Sequence, residues 1–445
     1  MSEIFDGNTT YFTALTGTAA AQLERATTLH AWAGIRSHDK DMGKILRQVR
    51  RNPNARQRWL QVKRLIIDEI SMMSVQLFTL IDYLARHLRP KQVAHLPFAG
   101  IQLILSGDFL QLPPVDDQHD PQASLWTSEL WLVTVKHTLE LKTVFRQKDL
   151  EFTNFLDRIR RNAMLPTDYT KLHSLKRPLI GLETPPLRLT PHRKTAEADN
   201  MKRLAELPGP EITFEALDAG PEKDQVEALT RLPMKLVLKA GAQVMLLRNF
   251  SKFDLVNGSI GIVQGFQTVA VAAGKMSVLE TAKHPSGKTV ELPVVRFNKV
   301  DFLVGCDKYV LESKIEDAPN STRLQLPLCL AWTCTIHKSQ GMTAEALEVD
   351  LTHIFEYGQA YVALSRARSF DTLQVSGFNA LKLRSDPNIL AQLQTKVAKP
   401  APINTTSPPR KKPKTQPRKN IPTDVKQPSI KQFFAIKPSN QNSLV

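Results

Sequence analysis

Two carboxylates stand together at the end of an apolar run, in Arg64-Leu-Ile-Ile-Asp-Glu-Ile-Ser71. Such a run reads as a buried strand that delivers Asp68 and Glu69 at its tip. One carboxylate there suits a Mg2+ ion held through water, and its neighbour suits the polarising of a water that attacks a phosphoryl group. A strand ending in a solvated acidic turn has the same residues, so the pair alone leaves both readings open. A second run, Gln102-Leu-Ile-Leu-Ser-Gly-Asp-Phe-Leu-Gln-Leu-Pro-Pro-Val115, ends in a Gly-Asp turn, then Gln111, then a rigid Pro-Pro. A Gln there can reach a γ-phosphate and report its presence. A loop merely stiffened by proline has no need of Asp108 or Gln111.

Together these two segments resemble motifs II and III of superfamily-1 helicases, and further pieces follow in family order. Leu15-Thr-Gly-Thr-Ala-Ala-Ala21 with Thr28-Leu-His-Ala-Trp-Ala-Gly34 resembles motif Ia and its extension, and Val144-Phe-Arg-Gln147 resembles motif IV. Thr335-Ile-His-Lys-Ser-Gln-Gly-Met-Thr343 resembles motif V, and Gly358-Gln-Ala-Tyr-Val-Ala-Leu-Ser-Arg-Ala367 resembles motif VI. Over about residues 9–380 the chain resembles the Pif-type (petite integration frequency) DNA helicases, RecD-like motors that translocate 5′ to 3′.

The resemblance implies ATP and Mg2+ as cofactors, with Asp68 and Glu69 at the metal and Gln111 sensing the γ-phosphate. It implies that Arg146 and Arg366 come from opposite lobes to neutralise charge on the transferred phosphoryl group. Gln340 and Gly341 would line the nucleotide cleft. Thr16, Gly17, Thr18, Thr28 and His30 would hold single-stranded or forked DNA from the first lobe, and His337, Lys338 and Ser339 from the second. Hydroxyls, amides and a few cations suit a motor that slides without reading bases. Taken singly, a Thr or His in these places reads equally as a helix cap or a core residue.

Such a motor also needs a glycine-rich loop ending in Gly-Lys-Ser/Thr, whose amides cradle the phosphates. In the family that loop precedes motif Ia, and its strand lies beside the motif III strand. Motif Ia begins here about fifteen residues from Met1. The expectation is therefore an incomplete chain without ATPase activity, whose first sheet has an unpaired edge. Ala282-Lys-His-Pro-Ser-Gly-Lys-Thr289 imitates the loop, but Thr289-Val-Glu-Leu-Pro-Val-Val-Arg-Phe297 alternates like a strand, where the loop must open a helix. It reads as a hairpin turn.

The elements that must position these residues follow from pattern. Thr10–Ala14, Leu65–Ile67 and Ile101–Leu105 are short apolar runs, and Val75–Leu88 has apolar residues at helical spacing between two of them. Strand–helix alternation argues an α/β fold of parallel sheets with ligands at the carboxyl ends of the strands. The expected architecture is two RecA-like lobes, residues 1–145 and 146–231 with 305–395, the second carrying a small β barrel inserted at 232–304. A disordered basic tail would occupy 396–445, with nine prolines and eleven Lys/Arg against the single acid Asp424. Of the net charge of +16, +10 falls on that tail and +6 on the rest. No apolar run reaches the ~20 residues of a membrane span, so no membrane partner is expected. Three cysteines without a C-x-x-C pair suggest a reduced compartment, with no zinc site and no disulfide.

The tail reads as an address. Pro408-Pro-Arg-Lys-Lys-Pro-Lys-Thr-Gln-Pro-Arg-Lys419 is a basic cluster of the kind a nuclear import receptor binds, although a generic phosphate-binding tail has the same residues; the expected compartment is the nucleus, with a mitochondrial form also open. Gln427-Pro-Ser-Ile-Lys-Gln-Phe-Phe434 matches the box that binds the PCNA sliding clamp. One tight helical turn would put Ile430, Phe433 and Phe434 together as a plug, with the Gln427 amide beside it. Replacing Phe433 and Phe434 by Ala is expected to abolish clamp binding in calorimetry, and unchanged binding would refute the box.

Overall fold

A computed structural model describes residues 9–23, 25–35, 41–114, 125–182, 184–221, 234–250, 253, 255–269, 278–279, 290–311 and 319–397. The import cluster, the clamp box and Ala282–Thr289 lie outside the described residues. The first sheet is wholly parallel, in the order β2 (Thr27–Thr28), β1 (Thr10–Ala14), β3 (Arg64–Asp68), β4 (Gln102–Leu105). Leu65, Ile66 and Ile67 of β3 are fully buried, and each such side chain stabilises the fold by about 1.5–3 kcal/mol. The helix Val75–Leu88 spans the residues its periodicity predicts. Ser74 caps it by accepting from the Leu77 amide, and Phe78, Ile81 and Leu84 join the core beneath the sheet.

Among the described residues β4 pairs with β3 alone, so its far edge is open. Leu103, Ile104 and Leu105 are correspondingly only half-buried, unlike the residues of β3 beside them. The segment 136–145 is also bare, with Leu141 and Phe145 85% and 86% exposed.

The second sheet is parallel as well, ordered β17 (Thr333–Thr335), β5 (Leu187–Thr190), β18 (Leu347–Leu351), β19 (Leu373–Phe378). Phe152, Phe155, Leu156 and Ile159 of the helix Leu150–Arg160 pack into its core. Between β5 and β17 the chain forms a six-stranded sheet. Its order is β11 (Val278–Leu279), β13 (Val300–Val304), β12 (Val290–Phe297), β10 (Ile260–Val269), β9 (Gln243–Leu246), β16 (Leu328–Leu330). It is antiparallel except where β11 meets β13. The strand β12 follows directly on Lys288-Thr289, so no helix opens there and the Pro-Ser-Gly-Lys segment lacks the context of a phosphate loop. The expected strand Lys235–Leu238, β8, pairs instead with β6 (Ile212–Glu215). A three-stranded sheet of β14 (Asp307–Leu311), β15 (Ser321–Gln325) and β7 (Leu217–Ala219) is held by a buried Arg323–Asp218 ion pair of 2.6 Å.

One ion pair sets a pH dependence for the second lobe. Arg158 donates to both oxygens of Asp168 at 2.8 and 2.6 Å, and the Leu165 amide donates to the same buried carboxylate. The Arg158 bonds outweigh burial and hold the Asp168 carboxyl below its ordinary value of 3.8. A carboxyl lowered on folding adds stability that is complete above its unfolded pKa and is lost as pH falls through the folded one. Asp168→Asn is therefore expected to destabilise the protein by ~1–3 kcal/mol at neutral pH. In thermal melts from pH 7 to pH 3, the gap between wild type and variant should close at the acid end.

Candidate active site at the lobe interface

The tips of β3 and β4 are locked together. The Ser106 amide donates to the Ile67 carbonyl and the Ile70 amide donates to the Ser106 carbonyl, both at 2.9 Å. Gly107 makes that approach possible: at its φ of +150°, a Cβ would lie 2.7 Å from the Ile70 nitrogen. Asp68 ends β3, and Glu69 follows in the left-handed region, at φ 56° and ψ 44°. That conformation costs a non-glycine residue about 1–2 kcal/mol, and it turns the Glu69 carboxylate out of the sheet.

The Gln340 Nε2 donates to Glu69 Oε2 at 2.8 Å, across the gap between the two parallel sheets. Gln340 is only 1% exposed, and its Oε1 is buried with no hydrogen-bond partner. The Gly341 carbonyl accepts from Arg146 Nη2 at 3.4 Å. Arg366, 2% exposed, donates from Nε to the Val362 carbonyl and from Nη2 to Ser365 Oγ, both at 2.8 Å. Gln147 donates to the Ser365 and Ala367 carbonyls, each at 3.0 Å. These bonds correct one expectation: Arg146 and Arg366 stand together on the second lobe, because Gln147 ties motif IV to motif VI.

The charges here are poorly compensated by the protein. Burial raises the Glu69 carboxyl above 4.5, with Asp68 pushing the same way, against the Gln340 bond and the two guanidiniums. Burial, then the Arg146 charge, lowers Arg366 to about 9, so it remains a cation at neutral pH. Burial likewise lowers Arg146. Among the described residues neither arginine has a carboxylate within 4.0 Å. Two guanidiniums that repel one another, an orphaned acceptor and a protonatable carboxylate fit a polyphosphate between the lobes. Among the described residues no three His, Cys, Asp or Glu gather as a metal cage. Two adjacent carboxylates fit Mg2+, which keeps several waters and takes its other ligands from phosphate.

Asp68, Glu69, Arg146, Gln340, Gly341 and Arg366 thus come together. Gln111 is placed by its backbone, its amide on the Asp108 carbonyl at 2.9 Å. In the expected DNA set, Thr16 and Thr28 act as helix caps, accepting from the Ala19 and Ala31 amides. Gly17 is exposed, and Thr18 and His30 are half-buried in the same short helices. Lys338 is exposed and His337 half-buried. Ser339, by contrast, is buried and donates its hydroxyl to the Ile336 carbonyl at 2.8 Å, so it shapes the loop from inside.

One residue escaped the sequence reading. Phe355 is 54% exposed and lies between His192 and His337, with ring centroids at 5.3 and 6.4 Å and planes within 12° and 26° of parallel. Burial lowers His337, which favours its neutral ring. Its neighbours Ile354 and Tyr357 are large too, so nothing local singled it out; the stack joins three separate segments.

The PIF1-like helicase family model matches residues 4–162, and the model of the Pif1 helicase 2B domain matches residues 228–266. The chain is 39% identical over 385 residues to the human ATP-dependent DNA helicase PIF1, covering 86% of this chain and 56% of that protein. It is 32% identical to the Saccharomyces cerevisiae ATP-dependent DNA helicase RRM3, covering 87% and 61%. Thus it spans little more than half the length of the curated relatives it matches. Its fold is similar to the crystal structure of Pif1 helicase from Candida albicans, with a TM-score of 0.73, 32% identity and coverage of 88% and 89%. A Bacteroides Pif1 helicase in complex with ADP-AlF3 and single-stranded DNA is similar at a TM-score of 0.61, 25% identity and 88% coverage of each chain.

Proposed function

The chain belongs to the PIF1-like DNA helicases, and from that premise we propose that it is the body of an ATP-driven 5′-to-3′ DNA-unwinding motor. The observation that carries this reading is the Gln340–Glu69 hydrogen bond between the lobes, with Arg146 and Arg366 beside it. ATP with Mg2+ supplies the phosphoryl group whose transfer to water drives the motor. Asp68 would hold the ion through water, and Glu69, its carboxyl raised by burial, would take the proton of the attacking water at Oε1 or Oε2. Arg146 and Arg366 would neutralise the phosphate oxygens, and Gln340 would couple the tip of β3 to the second lobe.

The track for single-stranded or forked DNA would run past the exposed ends of the motif Ia helices and past Lys338. Phe355 and the flanking histidines supply a stacking face there, which serves any base equally. The relatives' name, the tail's basic cluster and the clamp box together support work in nuclear replication, repair, recombination or telomere upkeep, at DNA loaded with PCNA.

A second reading has its own support. Among the described residues, the open edge of β4 and the bare segment 136–145 favour it, since no described strand brings a phosphate loop to Asp68. These 445 residues would then bind single-stranded DNA and the clamp without turnover. Oligothymidylate-stimulated ATP hydrolysis by the purified chain separates the two readings. We expect none above background, and hydrolysis restored when a strand ending in Gly-x-x-Gly-x-Gly-Lys-Ser is supplied ahead of it. Hydrolysis lost again in Glu69→Gln of the completed chain would place the reaction in this cleft. Phe355→Ala is expected to weaken oligothymidylate binding about tenfold in fluorescence anisotropy, as loss of one stacked base does. Unchanged affinity would remove Phe355 from the track.

A further inference from the structure

The loop after β4 belongs to both lobes. It leaves the first sheet at Ser106, where it is bonded to Ile67, and within two residues it meets Arg160, the last residue of the helix Leu150–Arg160. Arg160 Nε donates to Asp108 Oδ2 and Nη2 to Oδ1, each at 2.8 Å. Both side chains are about four-fifths buried, at 20% and 18% exposure. The burial of Arg160 opposes its charge, but the Asp108 bonds and charge outweigh it and raise the guanidinium's pKa. Beyond the pair, Leu112 enters the hydrophobic core of the second lobe. Gly358, at φ +74°, lies so close to the loop that a Cβ would come 2.5 Å from the Gln111 carbonyl oxygen. Ser385 Oγ donates to the Arg160 carbonyl at 2.7 Å, fixing the helix end itself.

We propose that Arg160 is a positioning residue: its two-pronged grip on Asp108 sets the distance and rotation between the lobes and so keeps Glu69 opposite Gln340. A guanidinium fork on a carboxylate is directional as well as strong, which a single ammonium cannot reproduce. The tie acts at the root of the loop. The tip of β3 hangs from the same root through the Ser106–Ile70 bond, so a slip of Asp108 on Arg160 shifts Glu69 relative to the second lobe. Tyr361 lies within electrostatic reach of Asp108, Arg160, Arg366 and Arg146, so the pair and the cleft share one buried charge cluster. Within the proposed motor, this pair is what the phosphate-sensing loop would work against, and that part rests on the reading above.

The test measures lobe spacing without requiring turnover. Spin labels on Gln57→Cys and Met201→Cys, both exposed and one on each lobe, report the spacing by double electron–electron resonance. Burial raises the native thiols, Cys306 to about 11, Cys334 to about 12 and Cys329 in the same direction, which disfavours the thiolate that a label attacks at pH 7. We expect one narrow distance in the parent. Arg160→Gln and Asp108→Asn should each broaden it roughly twofold, with Arg160→Lys between, as a released interface does. Exchanging the partners, Asp108→Arg with Arg160→Asp, should narrow it again. Single variants that superimpose on the parent, or an exchange that stays broad, would overturn the tie. If Arg160→Gln fails to fold by circular dichroism, Asp108→Asn carries the same comparison. Oligothymidylate titrated into the labelled parent keeps the two ideas apart: absent binding contradicts the DNA reading, while the distances still decide the tie.

Discussion

Charge gathered between the lobes with too little counter-charge is the constraint around which this molecule is arranged. Between the lobes, Glu69, Arg146 and Arg366 share a space that the protein itself leaves electrostatically unfinished. Two guanidiniums repel, a carboxyl is pushed toward protonation, and the Oε1 of Gln340 has no partner. Such an arrangement costs stability in isolation. It is maintained because each group is fixed by backbone: Arg366 by the Val362 carbonyl of its own motif and the Met342 carbonyl of motif V, Glu69 by a left-handed turn wedged against the β4 tip. Within the proposed motor, a triphosphate with its metal would complete the set of charges.

Rigidity is therefore concentrated where the two sheets meet. The tips of β3 and β4 exchange hydrogen bonds, Gly107 permits their close approach, and the loop beyond is rooted in the other lobe by Asp108, Leu112 and the contact with Gly358. Motif IV is stitched to motif VI by Gln147. A change in the cleft therefore has few ways to be absorbed locally.

What the sequence made legible was local. The runs Thr10–Ala14 and Leu65–Ile67 and the periodicity of Val75–Leu88 give their elements almost residue for residue, because burial of one face imposes the pattern directly. The acidic tip could be seen in the sequence and the motif V and VI residues came from the resemblance; the structure brings Asp68, Glu69, Gln340, Gly341 and Arg366 to one place. Long-range pairing was not legible. Nothing near Lys235–Leu238 says that it pairs with Ile212–Glu215, and nothing near Leu328–Leu330 says that it completes the six-stranded sheet. The Arg160–Asp108 pair, 52 residues apart, and the His192–Phe355–His337 stack fall in the same class. Ser339 shows the opposite failure: in a motif that mixes buried and exposed polar residues, its inward hydroxyl cannot be told from an outward one.

The most direct measurement is a crystal structure of the chain joined to a glycine-rich phosphate loop, grown with Mg2+, ADP, aluminium fluoride and oligothymidylate. The account predicts the fluoride between the lobes, with Arg146 and Arg366 both in hydrogen-bond contact with it and Glu69 facing it on the side held by Gln340. Nucleotide bound away from this cleft, or in it with Arg146 and Arg366 turned from the fluoride, would contradict it.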